Sequence, residues 1–71
     1  MRLFIYDLDE HCEVLDYVVR VKITRKNKKQ VLIINQYLME NEDTRLLSEI
    51  KLAFMVDIKS KDCKEYFRYE K

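Results

Sequence analysis

The 71-residue chain contains no glycine, no proline and no tryptophan. Glycine serves the positive-φ positions of tight turns, the bulges and the sharp corners at which small barrels close. Its absence excludes a glycine-rich phosphate loop, and it makes an open twisted sheet easier to build than a closed barrel. Histidine occurs once, at His11, and cysteine twice, at Cys12 and Cys63. Zinc takes four closely spaced Cys, His or acidic ligands, and His11-Cys12 with no CxxC offers no such set, so neither metal nor cofactor is expected. No apolar run approaches the ~18 residues of a membrane span, and no signal-peptide pattern precedes Arg2-Leu3-Phe4-Ile5. These readings point to a cytoplasmic chain with no membrane partner and with free thiols rather than a disulfide.

What is present is 48% apolar and 38% charged, the balance of a folded chain and not a disordered one. The length allows a single small domain, 1–71. A core of this size supplies only ~3–5 kcal/mol, and small proteins near that limit add a disulfide, a metal or a second subunit. With the first two set aside, self-association remains. An open sheet that is apolar on both faces needs a cover, and a homodimer provides one.

The clearest local signal is alternation. Leu15, Tyr17, Val19, Val21 and Ile23 stand at odd positions between Asp16, Val18, Arg20 and Lys22, which predicts a half-buried strand with the odd residues inward. Gln30–Met39 is apolar on both faces and suits a central strand. Between them lies Arg25-Lys26-Asn27-Lys28-Lys29, where Asn27 is best able to take a left-handed turn conformation without glycine, so a β-hairpin is expected. Leu3–Leu8 reads as a first strand. Asp43–Ile58 is ambiguous between strand and helix. The strand reading places Ile50, Leu52, Phe54 and Val56 inward, after a short helical turn at 44–48. Glu65–Tyr69 reads as a last strand. The expected fold is therefore all-β, a mainly antiparallel meander of about five strands. The alternative is α+β, with a helix at 44–55 packed on a three-stranded sheet. The expected core is Leu3, Ile5, Leu15, Tyr17, Val19, Val21, Ile23, Ile33, Ile50, Leu52, Phe54 and Val56.

The net charge of +1 conceals a distribution. In a meander, successive connections alternate between the two ends of the sheet. One end then gathers Asp7, Asp9, Glu10, Glu13, Glu40, Glu42 and Asp43. The other gathers Arg25, Lys26, Lys28, Lys29, Lys59, Lys61 and Lys64. Charged ends steer encounters and select partners, although lysine-rich turns also serve simply to block edge-to-edge aggregation. An intrachain bridge between Cys12 and Cys63 is excluded in this arrangement, because the thiols fall at opposite ends.

Catalysis has little to work with. Adjacent residues on an extended segment point to opposite faces, so His11 does not readily activate Cys12, and neither Ser48 nor Ser60 has another histidine to pair with. The expected function is therefore non-enzymatic: a small protein-binding module, of the accessory or inhibitor kind found in viruses and mobile elements, acting on a host protein. The alternative is a nucleic-acid-binding protein that uses the basic end together with the aromatic surface candidates Tyr66, Phe67 and Tyr69.

Overall fold

A computed structural model describes residues 1–70. It is all-β and antiparallel, as expected, but the strands number seven and divide between two sheets. The first sheet holds β1 (Arg2–Asp7), β2 (Cys12–Leu15), β6 (Ile50–Val56) and β7 (Cys63–Arg68), in the order β2-β1-β6-β7. The second holds β3 (Val18–Lys26), β4 (Lys29–Gln36) and β5 (Asp43–Leu46), in the order β3-β4-β5. One cluster of side chains joins the sheets: Leu3, Ile5, Ala53 and Met55 from the first, Val18, Leu32 and Ile34 from the second, and Leu47 and Ile50 at the crossing. Among the described residues, no helix is long and apolar enough to cross a membrane.

The chain passes between sheets twice without glycine. At Asp16–Tyr17 it leaves β2 and turns into β3, with Tyr17 at φ 58°. The corner is held by hydrogen bonds: the Tyr37 N–H donates to the Tyr17 carbonyl at 2.8 Å, the Val18 N–H to the Met1 carbonyl at 2.9 Å, and the Gln36 side-chain amide to the Asp16 carbonyl at 2.9 Å. What reads as one strand over Leu15–Ile23 is thus two, in different sheets. A bulge between Val18 and Arg20 then shifts the register against β4. The face changes as a consequence. Val18 is buried, while Tyr17, Val19 and Ile23 of the expected core are exposed and Val21 is only half-buried.

The second passage runs from β5 through a 3-10 turn, Leu47–Glu49, into β6. The ambiguous segment is therefore strand, turn, strand. The helical turn expected at 44–48 lies a few residues later, and the helix at 44–55 of the alternative does not form. On β6 the inward residues are Ile50, Ala53 and Met55, whereas Leu52, Phe54 and Val56 are half-buried on the opposite face. A register shift against β1 brings Ile50 opposite Asp7 and Leu52 opposite Tyr6, which is why Ile50 shares the inner face with odd-numbered neighbours.

The hairpin between β3 and β4 closes on Lys26 and Lys29, with Asn27 and Lys28 at φ 51° and 66°. Positive φ at both central positions is the type I′ geometry that matches strand twist. Asn27 tolerates it, but Lys28 has a Cβ in a conformation that costs roughly 1 kcal/mol relative to glycine. Lys28→Gly is expected to stabilise the protein by about 0.5–1 kcal/mol, read as a higher midpoint in urea unfolding. A lower midpoint would show that the lysine side chain contributes more than its backbone costs.

Candidate interaction surfaces

The inner face of the four-stranded sheet is buried against its partner sheet. Its outer face is built by the alternate residues. Phe4 and Tyr6 of β1 stand beside Phe54 and Leu52 of β6, Val14 of β2 lies opposite Phe4, and Arg2 lies opposite Val56. The Phe4 and Phe54 rings stack at 5.0 Å between centroids, nearly parallel at 12°, and Tyr6 stacks on Phe54 at 6.2 Å. The side chains of Leu52, Phe54 and Val56 on β6 are therefore turned away from the core and join a half-buried aromatic row on the outer face.

The borders of this face carry both signs of charge in pairs. The Arg2 guanidinium donates to Asp16 at 2.6 Å, Lys51 reaches Glu10 at 2.5 Å and Arg68 reaches Glu65 at 2.7 Å. Glu10 is held below the usual carboxylate range by its hydrogen bond from Lys51. Both thiols are exposed and free, Cys12 on β2 and Cys63 on β7. Those strands are opposite edges of the sheet, three interstrand spacings or roughly 14 Å apart, well beyond the ~7 Å Cα separation that a disulfide spans. The bridge is excluded here by the width of the sheet, not by the two ends of a meander.

The acidic residues expected at one end are distributed as follows. Asp7, Asp9, Glu10 and Glu13 belong to the β1–β2 hairpin, where the Asp7 carboxylate accepts the N–H groups of Asp9 and His11 at 2.9 Å each. These bonds, that from His11 first, lower the Asp7 pKa. Asp7, Asp9 and His11 bring ligand-type atoms within 4.8 Å of one another, but the Asp7 oxygens already serve the turn. His11 Nδ1 lies 3.5 Å from Asp7, while the Cys12 thiol points to the Glu13 carbonyl, so the two are not paired with each other. Glu40, Glu42 and Asp43 lie in and just after the β4–β5 connection.

Arg45 of β5 joins these two acidic groups. Its guanidinium grips both oxygens of Glu13 on β2, at 2.5 and 2.8 Å, and also donates to both oxygens of Asp43, at 3.0 and 2.9 Å. The clamp crosses from one sheet to the other; Glu13 and Asp43 were among the acidic residues singled out in the sequence, but Arg45 was not, because nothing local marks a long-range arginine. The Arg45 hydrogen bond pulls the Glu13 pKa below its ordinary 4.5. A carboxyl depressed in the folded state stabilises the fold above its unfolded pKa and loses that contribution as pH falls through the folded value. Arg45→Ala is accordingly expected to cost about 1–2 kcal/mol at pH 7, with the difference from wild type shrinking as pH drops below 4.5, in urea melts taken across pH. A difference that stays constant with pH would mean the loss is one of packing alone.

The basic residues do not form one end. Lys26 approaches Glu42 at 3.9 Å, so the two sets touch. Lys59 and Lys61 sit in the β6–β7 connection and Lys64 at the start of β7, its ammonium 5.0 Å from the Tyr66 ring centroid. Arg25, Lys28 and Lys29 instead flank a groove of about 520 Å³ with Phe67 and Tyr69, at the far end of β7. Tyr66 and Phe67 are partly buried against the core, and Tyr69 is exposed.

Two antiparallel sheets on a shared core, with a half-buried aromatic row on one outer face and charged hairpins around it, make a small all-β fold. No family model, curated protein or solved structure matches the chain.

Proposed function

We propose that this protein is a non-enzymatic protein-binding module that pairs with a second copy of itself through the outer face of the four-stranded sheet. The observation that carries this reading is the reversal on β6, whose Leu52, Phe54 and Val56 join Phe4 and Tyr6 of β1 in a half-buried apolar row outside the core. Apolar side chains gathered in one place on a surface mark contact sites, whereas scattered ones need no explanation. The occupant follows from the borders. Arg2, Lys51 and Arg68 are matched by Asp16, Glu10 and Glu65, so the face carries no net charge of its own. A strongly charged partner gains nothing there, and a second copy is not repelled. A two-fold arrangement sets this patch against itself, aromatic row on aromatic row, and supplies the buried area that a chain of this size lacks alone.

Dimerisation leaves the charged hairpins at the periphery, where they steer and select a further protein partner by charge. This is the arrangement of an accessory or inhibitor protein, and its exposed free thiols suit a reducing, cytoplasmic setting. Sedimentation equilibrium tests the reading: the expected mass is twice that of one chain, falling towards one chain on dilution. A single-chain mass at every concentration would overturn it.

A further inference from the structure

We infer a second binding site, distinct from the dimer face: the groove between the β3–β4 hairpin and the end of β7 takes single-stranded nucleic acid. Among the described residues, Arg2, Lys26, Arg45, Lys51 and Arg68 are placed against acids, while Arg20, Lys22, Lys59, Lys61 and Lys64 stand unpaired on the surface. The groove differs in gathering unpaired cations and aromatic rings in one cavity. Arg25, Lys28 and Lys29 line it, no acidic residue does, and among the described residues none of the three has an acid within ion-pair distance. Phe67 and Tyr69 lie across from them.

Each component matches one part of a nucleotide. Three unpaired cations lining one groove attract phosphates and release their counterions. An exposed tyrosine offers its ring to a base, and such stacking tolerates any sequence because every base has a π-face. Tyr69 is not a loose tail residue: its N–H donates to the Lys51 carbonyl at 2.8 Å, which extends β7 by one residue and fixes the ring's origin beside the groove. Gln30 and Ser48 add hydrogen-bonding groups to the lining. A duplex presents its phosphates but hides its base faces, so the aromatic wall selects single strands. An acidic peptide would satisfy the cations and leave the rings unused.

The test is fluorescence anisotropy with a labelled oligothymidylate of about 12 nucleotides. For three phosphate contacts the affinity is expected to fall about twentyfold between about 50 and about 200 mM salt, a log–log slope near −2. Lys28→Gln with Lys29→Gln should weaken binding about tenfold and flatten that slope to about −0.7. Tyr69→Ala should weaken it about tenfold with the slope unchanged. Lys59→Gln with Lys61→Gln, in the other basic turn, should leave it as it was. Tyr69 also borders the outer face of the four-stranded sheet, so the lysine pair is the discriminating variant. The inference is overturned by absence of binding at low salt, by equal losses from both lysine pairs, or by oligoglutamate competing as well as the oligonucleotide while Tyr69→Ala is harmless.

Discussion

Val18→Asp is expected to unfold this protein, and Val19→Asp is not. The two positions are adjacent valines in the same strand, and a sequence reading by alternation assigns them the opposite roles. Val18 is 2% exposed and packs in the cluster shared by both sheets, whereas Val19 is 58% exposed on the bulge that follows. A carboxylate at Val18 would enter the apolar cluster shared by both sheets, which holds no buried polar or charged side chain. Burying an unpaired charge costs several kcal/mol, comparable to the whole ~3–5 kcal/mol expected of a core this size. At Val19 the new carboxylate is in water, and the cost is the lower strand preference of aspartate, below about 1 kcal/mol. Circular dichroism and urea melts separate the outcomes. If Val19→Asp unfolds and Val18→Asp does not, the bulge is absent and the face assignment is reversed.

The second large effect concerns association. Phe54→Lys places an ammonium at the centre of the aromatic row, between Phe4 and Tyr6. In a two-fold pair each such charge is buried beside its symmetry mate, so the dimer constant is expected to weaken by at least about a hundredfold. Within the monomer the substitution removes the Phe4 and Tyr6 ring contacts, at about 1–2 kcal/mol, and the fold is expected to survive. Val14→Lys guards against the contrary case. Val14 is 46% exposed on the edge strand β2, so lysine there disturbs no internal packing and should still weaken the pair, by about tenfold. A Phe54→Lys or Val14→Lys protein that is folded and still dimeric at wild-type concentrations would place the dimer contact elsewhere.

The local grammar of this fold was legible where residues carry their own instructions. The alternation over Val21–Ile23, the doubly apolar Val31–Ile34 and the Asn27 turn gave the β3–β4 hairpin with its central strand. The corner at Tyr17 was not legible, because a tyrosine at φ 58° replaces the glycine that would have announced it. Once that corner is missed, one strand is drawn where there are two, and Tyr17 and Val19 are misplaced, while Leu15 still packs against the core. β6 failed differently. Both of its faces are apolar, and choosing the more hydrophobic one as the core is sound reasoning for a chain with no partner. Its reversal in the structure is the best argument that the outer face is used.

The same holds for the charges. The loops were correctly recognised as acidic or basic, but their placement rested on a single meander. Two sheets bring Lys26 to Glu42 and Glu13 to Arg45, and they separate Lys59, Lys61 and Lys64 from Arg25, Lys28 and Lys29. Only the second basic group meets the aromatics at the end of β7. The outer-face residues Phe4, Tyr6 and Val14 carried one signal that would have revealed them: β1 alternates apolar with apolar, Leu3 and Ile5 against Phe4 and Tyr6, which a strand with one wet face does not do.

The most direct measurement is a dilution series followed by two-dimensional NMR. Self-association through the proposed surface requires the signals of Phe4, Tyr6, Val14, Leu52, Phe54 and Val56 to move together with concentration, while Val31 and Ile33 on the other sheet stay fixed. Spectra that do not change with concentration, or changes centred on Val31 and Ile33, would contradict it.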